Sequence, residues 1–285
     1  MRNFLFISAL LACAASVSHA QSTASFRVDK IESDKACRIV ATNKNIAPIT
    51  VTAEIAKGAL QYQYRSDRTW PLQEVVAPNS THEIAKIFMK EENREPCRME
   101  MAYSYSIGNA FIVPDRHYKY RLPFEKNTIV RVTQEPGGIL TTHKDALSRY
   151  AVDFSVPIGT PVLAAREGTV IEIRDNFNEG RTDPKLVEKA NFISIMHSDG
   201  TYAQYVHLAQ HSLLVLPGQW VETGQMIGKS GSTGYTGGPH LHFDLRRAHI
   251  GADGIVRQES LPFSFFRWRS GEKITLKQWR QITVD

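Results

Sequence analysis

Short stretches rich in β-branched and aromatic residues recur along this chain, separated by Gly, Pro and Asn. They cover residues 38–41, 49–55, 99–105, 169–174, 192–197, 202–207 and 240–245. Loose alternation of apolar and polar residues in such stretches is typical of strands joined by turns. No regular alternation of strands with helices supports a doubly wound sheet. The sequence therefore predicts a mainly β fold with antiparallel sheets.

Changes in residue composition and in the spacing of strand-like stretches along the chain predict its division into domains. We expect residues 21–125 to form an N-terminal antiparallel β-sandwich and residues 126–250 a second domain built on an antiparallel β-sheet. Residues 251–285 form a basic and aromatic tail, whose aromatic side chains either stack on glycans or pack against a domain. The polar segment 175–190 is predicted to be an insertion at a sheet edge or cleft rim, with a short helix near residues 185–189.

The first twenty residues have the features of a secretory signal peptide. Arg2 is followed by an almost unbroken apolar run, and small residues, Ser18 and Ala20, stand where a signal peptidase requires them. A rival interpretation makes Cys13 the lipidated residue of a lipoprotein, but that leader would be unusually short. No later stretch approaches eighteen apolar residues, so we expect no integral membrane segment. The prediction is export to the periplasm or cell envelope.

Removal of that leader leaves two cysteines, Cys37 and Cys97. In an oxidising compartment an even pair favours a disulfide, although two separate buried thiols remain an alternative. No CxxC motif occurs, which excludes a thioredoxin-like redox site.

The charge is spread evenly over the sequence. Lys and Arg number 34 against 29 Asp and Glu, giving a net charge of +5, and no four basic residues are consecutive. A nucleic-acid-binding protein usually concentrates its charge on one face or tail, so we expect no nucleic-acid partner.

Two motifs in the sequence resemble known sites without completing them. The segment from His82 to Lys86 begins like the HExxH zinc motif, but Lys86 occupies the second ligand position. Residues 223–230 resemble a phosphate-binding loop in which Thr223 replaces the first glycine, and no long helix follows. We reject both.

The motif His240-Leu241-His242 is more informative. Residues i and i+2 of a strand point to the same face, so both imidazoles are expected to enter one cleft. His207 ends another predicted strand and is able to reach the same cleft from a neighbouring position. Several histidines with one carboxylate are typical of an open zinc site.

Three blocks of sequence carry a wider resemblance. They are residues 150–170 (YAVDFSVPIGTPVLAAREGTV), 197–208 (HSDGTYAQYVHL) and 218–246 (GQWVETGQMIGKSGSTGYTGGPHLHFDLR). These blocks resemble the lysostaphin-type (LytM) zinc metallopeptidases, which cut peptidoglycan cross-bridges. The resemblance implies that Asp153 and His242 are zinc ligands. It implies that His207 and His240 are the catalytic pair, which orients the attacking water and stabilises the oxyanion.

One ligand departs from the family's pattern. Many members carry a histidine four residues before the aspartate, where this chain has Arg149. We predict that His143, ten residues before Asp153, supplies the third ligand from a loop with six extra residues. The alternative is that His143 is a surface residue and the site has lost a ligand.

The resemblance predicts an exported zinc metallopeptidase that acts on peptidoglycan stem peptides. Two alternatives stay open. The first is a catalytically silent relative that binds the cell wall or activates an amidase. The second is a peptidase that acts on free proteins or peptides.

Overall fold

The computed structural model describes residues 25–33, 36–56, 60, 64–89, 97–139 and 141–285. The predicted signal peptide, residues 1–20, and the candidate lipidation site Cys13 lie outside the described residues. Within the described part of the chain, no helix has the length and apolar character needed to cross a membrane.

Two facing sheets make up the N-terminal part of the chain. Their strands are β1 (Phe26–Ser33), β2 (Ala36–Asn43), β3 (Ile49–Ile55), β4 (Tyr64–Ser66), β5 (Leu72–Val76), β6 (Ser80–Met89) and β7 (Met101–Ile107). One sheet has the order β1-β2-β6-β4 and the other β5-β3-β7, with all neighbours antiparallel. A buried apolar cluster contains side chains of both sheets, including Ile39, Val51 and Ile87. The predicted antiparallel β-sandwich is confirmed.

A disulfide joins Cys37, a buried residue of β2, to Cys97, with 5.0 Å between the two Cα atoms. Cys97 packs at the margin of the sandwich core and follows β6 in the chain. The bridge therefore links the segment at Cys97 to strand β2 of the sandwich.

Replacement of both cysteines by serine is expected to destabilise the sandwich. The bridge spans 60 residues, and loss of such a cross-link costs about 4 kcal/mol because the unfolded chain regains loop entropy. Urea unfolding of the double variant and the wild type would measure the loss of unfolding free energy, and native-state hydrogen exchange would locate it in the sandwich. Equal protection of β2 amides in variant and wild type would contradict the expectation.

The rest of the chain is built around one large sheet, with three two-stranded sheets beside it. The strands of this part of the chain are β8 (Tyr120–Arg121), β9 (Ile129–Gln134), β10 (Val152–Ser155), β11 (Pro161–Leu163), β12 (Gly168–Arg174), β13 (Gly180–Arg181), β14 (Phe192–Met196), β15 (Tyr202–Val206), β16 (Trp220–Val221), β17 (Met226–Lys229), β18 (Gly234–Tyr235), β19 (Leu241–Ile250), β20 (Val256–Ser260), β21 (Phe265–Phe266) and β22 (Gln281–Thr283). The large sheet has nine strands in the order β16-β12-β14-β15-β19-β10-β9-β22, with β20 also paired to β19. The predicted mainly β, antiparallel fold is confirmed.

Residues 251–285, which the sequence analysis sets apart as a tail, contribute directly to this domain. Strand β20 pairs with β19, β21 with β8 and β22 with β9. Phe265 is fully buried and packs edge-on against Phe154 of β10. Of the two fates expected for the tail's aromatic residues, packing applies to Phe265.

Alternation along β19 creates one apolar and one polar face. Leu241, Phe243 and Leu245 are buried in the main core. His242, Asp244 and Arg246 are the alternate residues, and they bond to one another on the opposite face. A strand buried on both faces therefore carries a line of ionisable groups.

The polar insertion between β12 and β14 lies beside the loop that precedes β19. Its strand β13 pairs in parallel with β18, and its single helix is a 3-10 helix, Pro184–Lys189, capped by Asp183. The short helix predicted near residues 185–189 is confirmed.

The N-terminal sandwich packs against the end of the large sheet remote from His242. Ala47 forms a small apolar cluster with Tyr202, and the Val256 amide donates to Thr52 Oγ1 over 3.3 Å. Gly108 lies close to Ala248, where an added Cβ would be 3.4 Å from the alanine Cβ. Ala248 is six residues from His242, or about 20 Å along an extended strand.

Candidate metal centre and active site

Two paired strands bring an aspartate and a histidine together. Strands β10 and β19 are antiparallel, and their register places Asp153 directly opposite His242. His240 comes just before β19, and His207 follows β15, the neighbouring strand. Directly opposite residues share a face of the sheet, so these side chains converge.

Asp153 lies at the centre of three imidazoles. Its Oδ1 is 3.0 Å from His242 Nδ1, and its Oδ2 is 3.4 Å from His143 Nε2 and 3.7 Å from His240 Nε2. One ligand atom each from His143, Asp153 and His242 lies within 4.8 Å of the others. The structure thus brings together all three residues that were predicted to hold a metal.

The charge and burial of this group favour a cation. Asp153 is only 2% exposed, and no Lys or Arg of the described residues lies within 4.0 Å of its carboxylate. Burial raises the pKa of Asp153, but hydrogen bonds from His143 and His242 outweigh it and hold that pKa well below its usual range. A buried carboxylate requires a positive partner, which either a protonated imidazole or a bound metal ion is able to supply here. A His–Asp–His donor set is suited to Zn²⁺ or a similar ion.

The residue four positions before Asp153 plays no part in this group. The Arg149 guanidinium lies over the Tyr150 ring and donates to Glu259 Oε2 over 3.2 Å. His143 lies beside the aspartate instead, with its side chain only 9% exposed. The expected extended loop between His143 and Asp153 is therefore present.

That loop is held at several points. Asp145 Oδ1 accepts from the Leu147 and Ser148 amides, which closes a tight turn. The Ala146 carbonyl accepts both the amide and the hydroxyl of Ser260, at 2.8 and 3.1 Å. The six extra residues are thus fastened to β20.

Gln134 of β9 links the start of the loop to the aspartate. Its Nε2 donates to Asp153 Oδ2 over 2.7 Å, and its Oε1 accepts the Thr142 amide over 2.6 Å. Because Thr142 immediately precedes His143, one side chain orients two of the three candidate ligands.

Substitution of Gln134 by leucine is expected to weaken zinc affinity about 10- to 100-fold, the usual effect of removing a partner that orients a ligand. Competition with a fluorescent chelator would measure the dissociation constant. Gln278→Leu is the matched control, because the Gln278 amide donates to the Thr133 carbonyl and has no contact with the ligands. Equal affinities of the two variants would contradict this role.

A buried ion pair orients His242 from the other side. His242 Nε2 lies 3.0 Å from Asp244 Oδ2, and Asp244 accepts from Arg246 Nε at 2.7 Å and its terminal nitrogen at 2.8 Å. Burial lowers the pKa of His242, but the bonds to Asp153 and Asp244 prevail and raise it to about 9. Two carboxylates therefore favour positive charge on the His242 ring, and Nδ1 faces Asp153.

His207 and His240 form a second pair beside the first group, with ring centroids 4.5 Å apart. His207 Nδ1 lies 2.6 Å from the Thr233 carbonyl, and His240 Nδ1 lies 2.8 Å from the Gly238 carbonyl. A carbonyl only accepts, so each Nδ1 carries the proton and each Nε2 keeps a lone pair. Both rings are thus held ready to accept a proton through Nε2.

His207 is held in an unusual backbone conformation, with φ of 65°. Burial, together with the neighbouring His240 and His242, lowers the pKa of His207 to about 3. The His207 imidazole is therefore neutral at physiological pH, and its Nε2 is free to accept a proton. The positive φ is typical of functional sites at which the surrounding structure maintains strain.

Sequence comparisons identify the family of this domain. The model of Peptidase family M23 matches residues 148–254. Residues 148–254 form a Peptidase family M23 domain. The match includes Asp153, His207, His240 and His242, whereas His143 lies five residues before it begins.

Two curated relatives illustrate what the M23 domain is similar to. The peptidoglycan DD-endopeptidase ShyA of Vibrio cholerae serotype O1 is 33% identical over 125 residues, which are 44% of this chain and 26% of ShyA. Lysostaphin of Staphylococcus simulans is 38% identical over 116 residues, 40% of this chain and 21% of lysostaphin. The chain thus covers about a quarter or less of each relative's length.

Among solved structures, the catalytic domain of lysostaphin from Staphylococcus simulans is 32% identical to the aligned part of this chain. The alignment covers 41% of this chain and 79% of that domain, with a TM-score of 0.30. The family assignment rests on the sequence matches.

Sequence reasoning missed two residues that contact the candidate ligands, Gln134 and Asp244. Asp244 had a signal, because it continues the i, i+2 alternation of His240 and His242 along one strand. Gln134 had none, since its contacts depend on the pairing of β9 with β10.

Four further histidines of the described residues lie apart from this site. His82 is in β6 and is paired with Ala41, which agrees with rejection of the HExxH interpretation. His211 is exposed, 3.9 Å from Asp175, and His249 lies at the remote end of β19. His197 is buried after β14 and lies 2.8 Å from the Glu167 carbonyl through Nδ1.

His197 is expected to make folding stability dependent on pH. Burial lowers its pKa to about 4, whereas in the unfolded chain it titrates near pH 6.5. Between these values the unfolded state binds more protons than the folded state. The free energy of unfolding therefore decreases as the pH is lowered, by about 2 to 3 kcal/mol between pH 7.5 and pH 4.5. Urea unfolding with a chelator present would show a smaller decrease for His197→Gln. An equal decrease in both proteins would contradict the assignment.

Proposed function

We propose that this chain is a zinc-dependent endopeptidase that hydrolyses the peptide cross-bridges of peptidoglycan outside the cytoplasm. The observation that carries the proposal is the arrangement of two groups around one point. His143, Asp153 and His242 converge as metal ligands, and beside them His207 and His240 present unprotonated Nε2 atoms.

The side chains divide the chemistry between them. When bound, zinc supplies Lewis acidity to the scissile carbonyl and lowers the pKa of water. His143, Asp153 and His242 would hold it, and Gln134 and Asp244 keep those ligands in orientation. His207 or His240 accepts the proton of the attacking water through Nε2. The protonated ring then donates a hydrogen bond to the oxyanion or a proton to the leaving amine.

The relatives and the disulfide support the substrate and location. ShyA is named a peptidoglycan DD-endopeptidase, and a glycyl-glycine endopeptidase of Staphylococcus capitis is 36% identical over 118 residues. The Cys37–Cys97 disulfide suits an oxidising compartment, in agreement with the predicted export. Peptidoglycan stem peptides are the substrate that agrees with both observations.

A catalytically silent wall-binding protein has less support. That alternative depends on loss of the first ligand, and His143 lies 3.4 Å from Asp153 with its ring largely buried. We therefore favour the enzyme.

Digestion of purified sacculi tests the function. The mature chain with zinc should release products whose masses show cleavage within the peptide cross-bridge, and excess chelator should stop release until zinc is restored. Denatured protein substrates, incubated in parallel, should stay intact. Failure to release any chelator-sensitive product would contradict the proposal, and cleavage of the protein panel alone would favour a general peptidase.

A further inference from the structure

Leu208, the residue that follows His207, is bonded through both of its backbone groups. The Leu208 amide donates to the Asn191 carbonyl over 3.1 Å. The Leu208 carbonyl accepts from Asn191 Nδ2 over 3.2 Å and from the Thr233 hydroxyl over 2.9 Å. A carbonyl oxygen has two lone pairs, so these two donors saturate it. The peptide groups on both sides of Leu208 are therefore fixed.

These bonds lie where the backbone of His207 needs support. His207 has a φ of 65°, and strand β15 ends at Val206, immediately before it. A left-handed conformation is disfavoured for a residue with a Cβ, so the chain on both sides has to maintain it. Strand β15 holds the chain before His207, and the bonds of Leu208 hold the chain after it.

Thr233 contacts the same segment with its main chain and its side chain. Its carbonyl lies 2.6 Å from His207 Nδ1, whereas its hydroxyl donates to the Leu208 carbonyl and accepts the Asn191 amide, the latter over 3.0 Å. The ring and the following backbone of His207 are thus tied to one residue. Because the bond made by one ring nitrogen sets the tautomer, the position of Thr233 decides which nitrogen carries the proton.

Asn191 joins these contacts to the insertion between β12 and β14. Its Nδ2 also donates to the Phe177 carbonyl over 2.7 Å, and its Oδ1 accepts the Phe177 amide over 3.0 Å. Strand β13 of the same insertion pairs with β18, which begins directly after Thr233. The insertion is therefore bonded on both sides of the contacts that support His207.

Burial shows what kind of role these residues have. Asn191 and Leu208 are fully buried and Thr233 is 3% exposed. Side chains without solvent access do not contact a substrate, so any effect on the chemistry has to pass through His207.

We propose that Asn191 and Thr233 are positioning residues that hold the His207 imidazole with its proton on Nδ1 and its Nε2 free. That His207 uses Nε2 in peptide hydrolysis rests on the proposed function, whereas the placement of the ring does not. The Thr233 hydroxyl is the central contact, because it bonds both Asn191 and Leu208. Its loss frees the segment whose carbonyl orients the ring.

A pair of threonine variants tests the inference. Thr233→Val replaces the hydroxyl by a methyl group of similar size and keeps the carbonyl. Thr201→Val is the matched control, because Thr201 is fully buried in the same domain and its hydroxyl donates to Asp199. Nitrogen NMR of the imidazoles should show the Nδ1–H tautomer of His207 in wild type and in Thr201→Val. Thr233→Val should give a mixture of tautomers, and Thr233→Ser, which restores the hydroxyl, should return the wild-type spectrum.

Kinetics of the zinc-loaded variants on a soluble cross-linked peptide provide the second measurement. Thr233→Val should lower kcat about 10- to 100-fold, the effect of displacing a catalytic group by up to about 1 Å. KM and zinc content should stay unchanged, because neither the ligands nor the peptide contacts are altered. Thr201→Val and Thr233→Ser should keep kcat within about twofold of wild type.

Several results would overturn the inference. A His207 proton on Nε2 in the wild type does so without any variant, as do equal His207 spectra of the two valine variants or failure of Thr233→Ser to restore the spectrum. If Thr233→Val does not fold, Asn191→Asp takes its place, since it keeps Oδ1 but removes the Nδ2 donor to Leu208. Absence of hydrolysis by wild type, with the spectra as expected, contradicts the proposed function alone.

Discussion

Replacement of His143 by alanine should abolish zinc retention and reduce cross-bridge hydrolysis about a thousandfold, equivalent to about 4 kcal/mol of transition-state stabilisation. The reason is geometric. His143 Nε2 faces Asp153 Oδ2 at 3.4 Å, and its removal leaves one carboxylate and one imidazole to hold the ion. Product release from sacculi and metal content after desalting are the measurements.

Arg149→Ala is the matched control, because it alters the same loop at the position where many relatives have their first ligand. Its side chain lies against Tyr150 and Glu259, so zinc content and activity should stay close to those of wild type. Loss of zinc in Arg149→Ala with retention in His143→Ala would reverse the assignment of the third ligand.

The expected result for His240→Ala is different: full zinc content with activity reduced about 10²- to 10⁴-fold, the range for removal of a general acid–base group. His240 Nδ1 donates to the Gly238 carbonyl, so Nε2 keeps its lone pair and lies 3.7 Å from Asp153 Oδ2. The loss of activity should appear in kcat and not in KM, because the His240 ring acts in proton transfer at the transition state and not in binding of the peptide.

His249→Ala provides the control on the same strand. His249 lies at the remote end of β19 with its side chain 45% exposed, so its removal should leave kcat unchanged. If His240→Ala lost zinc as completely as His143→Ala, His240 would be a ligand and the division of roles would be wrong.

Much of the site was predictable because its chemistry is local in sequence. The alternation of His240 and His242 required only the geometry of a strand. Asp153 and His207 followed from resemblance to the family. The mainly β fold followed from short stretches rich in β-branched residues. The Cys37–Cys97 bridge followed from the even number of cysteines outside the predicted signal peptide.

What the sequence left unpredicted depends on contacts between distant segments. Gln134 orients two ligands only because β9 pairs with β10, and no sequence pattern near residue 134 predicts that pairing. The strands after residue 250 also escaped prediction. Stretches as short as β21 and β22 carry too few residues to show a period, and their partners β8 and β9 lie more than 140 residues earlier.

The metal content of the zinc-saturated, desalted wild-type chain tests the central claim most directly. One tightly bound zinc per chain is predicted, because three donors of a kind that suits zinc converge and two of them are buried. Zinc well below one per chain, in protein that stays folded by circular dichroism, would contradict the metal centre and the mechanism that depends on it.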